Sequence, residues 1–514
     1  MRRFIQGFGL ILEASTRQFY RALENSQLAQ FQVRQTICDR LINSDYGKFL
    51  GIGSIADWER VPIVEYEEIA PWIGGKNLGH RIGTTPEPVI FYERTSGSRG
   101  PIKFIPYTRS LQQSFNHLFC IWAGNLIRHG PPFTTGKVYA CVSPQFGRGE
   151  DIDSEVAVGL ENDADYLTGW LSWLLRPFLV TTPKLNQINS LGTFKQQLCL
   201  TLLQEERLEI LSLWSPSFLT VHLHYIQTHA EFFQAQVRHK ISVDRLQLLQ
   251  EPTISWSQLW PHLKLISCWE SGSAADSAGA LRNLFPHVLV QGKGLLATEA
   301  PLTVPLIETG GFLPLLDEVF FEFESADGTL HLLHQLQSDQ IYSLILSQKG
   351  GLYRYRIGDR VRVTSWYRDT PCLEFVGRDQ TVSDLVGEKL QEEFVQSALS
   401  TLALETTQFR CLVPVQHPTP HYVFLLDRTF LDPHFLAVQV DRKLSQSYRY
   451  REARLLGQLA PVRVLVNARI PEILTAYQVR SGKKWGDVKY PLLETRAIDP
   501  AVLAEMEPQQ FGIL

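Results

Sequence analysis

No stretch of this 514-residue chain approaches the ~18 consecutive apolar residues that a membrane-spanning helix needs. Residues 169–181 come nearest, and Arg176 interrupts them. Basic runs are also missing: 49 Lys and Arg stand against 53 Asp and Glu, a net charge of −4, which argues against nucleic acid as a main partner. Seven cysteines (Cys38, Cys120, Cys141, Cys199, Cys268, Cys372, Cys411) lie far apart without a Cys-x-x-Cys pair. That scatter excludes a disulfide framework and a zinc site, and it fits a reducing compartment. The histidine groups around His222, His224, His229 and around His331, His334 have no carboxylate at metal-site spacing. Internal repeats, low-complexity segments and a Gly-x-Ser-x-Gly nucleophile elbow are absent as well. The first residues, Met1-Arg2-Arg3-Phe4-Ile5, imitate the start of a signal peptide. Gln6 breaks the apolar patch, and a charged amphipathic helix follows without a small-residue cleavage site. A soluble, cytoplasmic, monomeric protein with no membrane partner is the expectation.

What is present suits a folded enzyme-sized chain. Apolar residues make up 44% and charged residues 20%, and the length exceeds what one core supports, so at least two domains are expected. Residues 4–47 carry apolar side chains at helical spacing, among them Phe19, Leu23, Leu28 and Phe31. Thr108 caps an amphipathic helix expected over 108–129. Strands and helices then alternate to about residue 300, which predicts an α/β fold with a largely parallel sheet covered by helices. The texture changes after Gly377-Arg378-Asp379. A large domain over 1–379 and a small α+β domain over 380–514 follow from that change, the latter with a helix expected at 435–456.

Phe91-Tyr92-Glu93-Arg94-Thr95-Ser96-Gly97-Ser98-Arg99-Gly100-Pro101-Ile102-Lys103 joins two short strands through hydroxyls, glycines and two cations. Backbone N–H groups in such a loop converge on an anion, and hydroxyls with Lys103 extend the site to a polyphosphate. The same residues also suit an exposed hairpin loop. A Walker-type loop is excluded, since no Gly-Lys-Ser/Thr closes it and Pro101 discourages a helix at Gly100. Farther on, a strand over 288–292 leads through glycines to Thr298 and Glu299. A carboxylate beyond a strand's carboxyl end can carry Mg²⁺ or be a surface residue. Tyr353-Arg354-Tyr355-Arg356-Ile357-Gly358-Asp359-Arg360-Val361-Arg362-Val363 alternates like a strand, with a Gly-Asp turn in its middle. That Asp could accept ribose hydroxyls, or it could belong to a common hairpin turn.

Taken in order, Thr-Ser-Gly-Ser-x-Gly with a following Lys, Ala-Thr-Glu, Tyr-Arg-x-Gly-Asp, Gly-Arg-Asp and Gly-Glu-Lys-Leu resemble the adenylate-forming superfamily of acyl-CoA synthetases, adenylation domains and luciferases. Within it the chain looks like the acyl-acid amido synthetases, the auxin-responsive family that joins plant hormones to amino acids, nearer their bacterial relatives. Lys103-Phe104-Ile105-Pro106-Tyr107-Thr108 and Gln291-Gly292-Lys293-Gly294-Leu295-Leu296-Ala297-Thr298-Glu299 carry the resemblance furthest. It implies ATP and Mg²⁺ as cofactors, with a carboxylic acid and an amino acid as the joined substrates. Thr95, Ser96, Gly97, Ser98 and Lys103 would then hold phosphates, Thr298 would lie near the α-phosphate, and Glu299 would bind the metal. Asp359 would take the ribose and Arg378 would assist there. Lys489, from a small C-terminal domain that is mobile in this superfamily, would bridge phosphate and acyl carboxylate. Arg99 departs from the family's usual Thr or Ser, Ala300 from its Gly, and Asp487 and Leu492 from its Gln and Arg. Acyl-CoA ligation with a thiol acceptor, and a non-catalytic binding protein on this fold, are the rival functions. Trp122 and residues 269–275 are expected to line the acid pocket.

Overall fold

A computed structural model of the chain describes residues 2–74, 80–95, 103–141, 157–158, 173, 175–182, 191–271, 274–378, 382–402, 404, 407, 409–480 and 492–507. These fall into two compact units, one up to residue 378 and one from 382.

The first unit begins with the helix Arg2–Glu24, which buries Leu12, Thr16, Phe19 and Leu23 at three- and four-residue intervals. It packs on the helix Arg109–His129. A Cβ at Gly124 would lie 2.6 Å from Thr16 Oγ1, so glycine is what lets the two backbones approach. The second helix starts where expected, since Thr108 Oγ1 accepts the N–H of Leu111. Arg128 and His129 in its last turn complement the helix dipole before Gly130 ends it.

The strands of this unit are, in chain order, β1 (Val89–Thr95), β2 (Lys103–Thr108), β3 (Lys137–Ala140), β4 (Ala157–Val158), β5 (Leu208–Ser212), β6 (Leu265–Cys268), β7 (Leu289–Gly292), β8 (Thr303–Pro305), β9 (Phe312–Pro314), β10 (Val319–Glu324), β11 (Leu330–Leu332), β12 (Ile341–Gln348), β13 (Leu352–Tyr367) and β14 (Thr370–Arg378). The expected parallel sheet is formed by β3, β5, β6 and β7, in that order. All four residues of β6 are buried, as a strand covered on both faces requires. Helices Leu191–Gln204, Pro216–Thr228 and Ala275–Leu284 make crossovers between these strands. A second, antiparallel sheet runs β11-β10-β12-β13-β14.

One residue of β13 binds the segment 59–64 to this sheet. Arg354, buried, donates from Nε and Nη2 to the Glu322 carboxylate at 3.0 and 2.9 Å, and from Nη1 to the Val61 carbonyl at 2.9 Å. Its backbone lies in the left-handed region at φ 44°. Val64 then adds a parallel bridge to β13, donating to the Arg354 carbonyl and accepting from the Arg356 N–H. Burial raises the Glu322 carboxyl above the ordinary carboxylate range in spite of Arg354, so the ion pair is an expensive one.

Gly358-Asp359 is not the hairpin turn that the sequence suggests. Strand β13 continues through it to Tyr367, and the hairpin comes at Arg368-Asp369. Between the pairs Ile345↔Arg356 and Ser343↔Arg360, two steps on β12 answer four on β13. This is a bulge, and Gly358 supplies the φ of 81° that it needs. The histidines serve the fold. Buried His222 bonds the Phe218 carbonyl at 2.6 Å, and His331 bonds Ser325 Oγ.

The second unit contains β15 (Val382–Ser383), β16 (Leu390–Gln391), β17 (Arg410–Val415), β18 (His421–Leu426) and β19 (Arg463–Val466). β17 and β18 are antiparallel, β19 joins β18 in parallel, and helices Glu392–Leu399, Pro433–Leu444 and Tyr448–Leu455 complete an α+β unit. The single helix expected over 435–456 is two, because Ser445 and Ser447 end one and begin the next. Buried Glu388 accepts the Leu385 and Val386 N–H groups at 2.8 Å each and the Tyr422 hydroxyl at 2.5 Å, a fold-holding role for the Gly-Glu-Lys-Leu motif. Among the described residues, no helix is long and apolar enough to cross a membrane.

Arg354→Met should cost about 3–5 kcal/mol, since it strands a buried Glu322. Adding Glu322→Met to that variant should recover most of the loss. Urea midpoints of both variants against the parent test this, and equal destabilisation by both would show that the pair is not the source.

Candidate functional site

The β1–β2 hairpin places Thr95 opposite Lys103 in register. Of the expected phosphate loop, Ser96, Gly97 and Ser98 lie outside the described residues. Lys103 is described and is buried, at 8% exposure. A buried ammonium requires compensation, and two phenols contribute to it. Its Nζ lies 5.3 Å from the centre of the Tyr66 ring and donates to Tyr355 Oη at 3.4 Å. Tyr66 is in turn held, since its hydroxyl accepts the Phe104 N–H at 2.8 Å. Tyr66 stands there because Val64 has docked on β13 two residues earlier, beside Tyr355.

The second expected motif is a turn held by another tyrosine. Gly294, at φ 70°, turns the chain after β7. Leu295 N–H donates to Thr303 Oγ1 at 2.7 Å, and Leu296 bridges Pro301, which leaves Ala297–Ala300 as a tight reversal. Thr298 and Glu299 form its tip. The Tyr107 hydroxyl, at the far end of β2, donates to the Thr298 carbonyl at 2.8 Å and fixes that tip. Glu299 is buried at 7% exposure, and its charge reaches Tyr66. Burial raises the Tyr66 phenol first, the Phe104 N–H opposes this, and Glu67 and Glu299 add to the rise. Tyr92 behind it is pushed up to about 12, by burial and then by Tyr66. Strand β2 thus carries both contacts: Lys103 at its start lies over the Tyr66 ring, and Tyr107 near its end holds the turn that bears Thr298 and Glu299.

Asp359 follows Tyr355 along β13 on its buried side and pairs in register with Arg378 of β14. The bulge at Gly358 sets its direction. Asp359 is therefore inside a strand, although its sequence context resembles an exposed turn. Lys489 lies outside the described residues, as does the expected boundary at 379–381. Trp122 donates its indole N–H to Gln291 Oε1 at 2.9 Å, which puts it against β7, and Trp269 lies 5.8 Å from Trp214, ring to ring. Residues 272 and 273 are outside the description. Tyr66, Tyr107 and Tyr355 are the participants that sequence reasoning missed. Only Tyr355 left a trace, through its even spacing from Asp359; Tyr66 and Tyr107 carry no local signal of their contacts.

A buried cation beside two phenols and a buried carboxylate on a turn that a third phenol clamps suit a polyanion accompanied by a divalent ion. Comparison with known proteins narrows this. Residues 15–290 match the GH3 family N-terminal domain, 312–378 its central domain and 389–497 its C-terminal domain. A human GH3 domain-containing protein is 29% identical over 259 residues, covering 45% of this chain and 48% of the relative. A rice (Oryza sativa subsp. japonica) protein named as a probable indole-3-acetic acid-amido synthetase, GH3.6, is 28% identical over 163 residues, 29% of this chain and 33% of its own length. The chain thus aligns with half or less of these curated relatives. The solved structure of the acyl acid amido synthetase AtGH3.15 in complex with 2,4-DB shares the fold over nearly everything. It covers 98% of this chain and 96% of its own at a TM-score of 0.59 and 18% identity. With three consecutive family domains matched in order along its length, this chain belongs to the GH3 family.

Proposed function

We propose that the protein is an ATP-dependent acyl acid amido synthetase. It adenylates a carboxylic acid with release of pyrophosphate, then passes the acyl group to the amine of an amino acid with release of AMP. The observation that carries this reading is that β2 holds buried Lys103 at one end and, through Tyr107, the turn of Thr298 and buried Glu299 at the other. The names of GH3 relatives, a probable indole-3-acetic acid-amido synthetase of rice and a jasmonoyl–L-amino acid synthetase of Nicotiana attenuata, support it.

In the first step, an acid oxygen attacks the α-phosphorus and pyrophosphate departs. Charge accumulates on phosphate oxygens, and a preorganised cation in a site of low exposure stabilises it more than water would. Lys103 is that cation, already desolvated against Tyr66 and Tyr355. Thr95, Ser96, Gly97 and Ser98 would cradle the phosphates, and Asp359 with Arg378 would hold the ribose. A single buried carboxylate such as Glu299 fits Mg²⁺, which takes one or two protein carboxylates along with phosphate oxygens. When bound, that ion would neutralise phosphate charge and orient the leaving pyrophosphate. Thr298, fixed through its carbonyl by Tyr107, would lie beside the α-phosphate. In the second step the amine attacks the activated carbonyl, and no enzyme nucleophile is required. Lys489 is assigned to the first step on family resemblance, as is the mobility of the C-terminal domain. All seven cysteines are buried and free, which fits a reducing, cytoplasmic setting, and a monomer is proposed with it.

Glu299→Gln and Asp359→Asn keep size and burial while removing charge. Each should lower acid-dependent ATP–pyrophosphate exchange by roughly a hundredfold or more and leave the melting temperature near that of the parent. Near-normal exchange in either variant would remove that residue from the site. Hydroxamate formed with hydroxylamine, ATP and a panel of acids tests adenylation itself. Product masses from mixed amino acids and CoA then test the acceptor, a thioester pointing to acyl-CoA ligation instead.

For Lys489→Ala the expectation is asymmetric. Acyl-adenylate formation should collapse, while a chemically supplied acyl-adenylate should still be transferred to the amine. Single-turnover measurement of both half-reactions decides, and equal losses would withdraw the role.

A further inference from the structure

The second unit holds a cavity of about 660 Å³ that uses none of the residues assigned to ATP or to the acid. It lies where the start of β18, the outer strand β19 and the start of the helix Pro433–Leu444 come together. Pro418, Pro433 and Pro461 stand exposed on its rim, and His421, Ala437 and Val462 form a buried floor. Proline fixes its own backbone, and the chain around these residues is tied down as well. Ala460 N–H, in the wall, donates to the Pro420 carbonyl at 2.8 Å. Arg454 Nη1 donates to the Leu459 carbonyl at 2.8 Å, and its guanidinium is paired with Asp441. Asp432 caps the helix by accepting the Phe435 N–H at 2.8 Å. The cavity is therefore preformed, which lowers the cost of filling it.

The floor contains one polar group. His421 is 7% exposed, and its Nδ1 lies 2.8 Å from the Thr419 carbonyl. A carbonyl only accepts, so Nδ1 carries the hydrogen, and Nε2 of the neutral ring is a bare acceptor. Burial, opposed by the Thr419 bond and aided by Arg463, lowers the imidazole below its ordinary range and keeps the ring neutral. Nε2 is removed from water and has no hydrogen-bond partner among the described residues. A buried acceptor without a donor costs free energy, and a ligand O–H or N–H against it recovers that cost. The rim does not favour an ion, since Arg463 is paired with Glu507 at 3.0 Å and Asp432 occupies the helix start. We propose that this cavity binds a neutral, mainly apolar small molecule that presents one O–H or N–H donor to His421 Nε2. Its apolar body lies against the prolines, Ala437 and Val462, and a single directional contact orients it, the ordinary composition of a small-molecule pocket. A charged ligand would leave its ion against this lining without a counter-charge.

Equilibrium dialysis of the intact protein against 2-naphthol and its methyl ether, 2-methoxynaphthalene, tests this. The two compounds share shape and neutrality, and only the naphthol donates. The parent should bind the naphthol roughly three- to tenfold more tightly, the size of one neutral hydrogen bond. His421→Phe keeps a ring in the floor and removes the acceptor, so it should abolish that difference by weakening the naphthol alone. Ala460→Trp fills the cavity from its wall and leaves His421 in place, and it should remove binding of both compounds. Melting temperatures close to that of the parent establish that the variants are folded. Should His421→Phe fail to fold, the parent's preference and Ala460→Trp carry the test. Absence of binding, equal parent affinities for the two compounds, a preference that survives His421→Phe, or binding unchanged in Ala460→Trp overturns the site. No step of the ligase reaction enters these measurements, so their outcome stands apart from that reading.

Discussion

A guanidinium that cannot reach water organises the first unit. Arg354 is buried between β10 and the chain segment that crosses the sheet, and each of its contacts is enforced by the cost of leaving a charge unpaired. Glu322 neutralises it and the Val61 carbonyl takes another N–H, so the segment 61–66 has one place to lie. Val64 then joins β13 as an extra short strand, and Tyr66 arrives beside Tyr355. Without that docking, Lys103 would lose the ring it rests on and Phe104 the hydroxyl it donates to. A buried ion pair is a poor source of stability compared with apolar packing, and here its consequence is register.

Neutral groups help to hold the proposed site. Two phenols flank the Lys103 ammonium, and Tyr107 clamps the Thr298 carbonyl in the turn that bears Glu299. The charges are buried, so they are screened less than they would be in water. The elevated phenols of Tyr66 and Tyr92 follow from the same burial and keep both rings protonated, as hydrogen-bond partners and not as anions.

One continuous stretch connects the end of the parallel sheet to the turn of Thr298 and Glu299. Strand β7 leads into Lys293, Gly294 reverses the direction, and the turn at Thr298 and Glu299 follows before β8. The backbone between them is bonded to Thr303 and Cys268. Gly294 cannot be replaced without strain, since its φ is one that side-chain-bearing residues rarely adopt.

Much of this was legible beforehand. The helix Arg109–His129 with its Thr108 cap, the parallel strands, and Lys103, Thr298, Glu299 and Asp359 as residues of interest all follow from local patterns, because caps, periodicity and glycine turns act over a few residues. Gly358-Asp359 was misread for the same reason: a bulge and a hairpin turn place the same demands on the local backbone, and only the register against β12 separates them. The partners of Lys103 were hidden, since Tyr66 and Tyr355 reach it from elements 37 residues before and 252 after, a proximity no local propensity encodes. The sequence by itself determined which residues carry charge, hydroxyl and conformational freedom, and in what order along the chain. Only the tertiary structure decided which of them share a ring, a strand end or a buried guanidinium, because those meetings depend on long-range burial and on the satisfaction of charges removed from water.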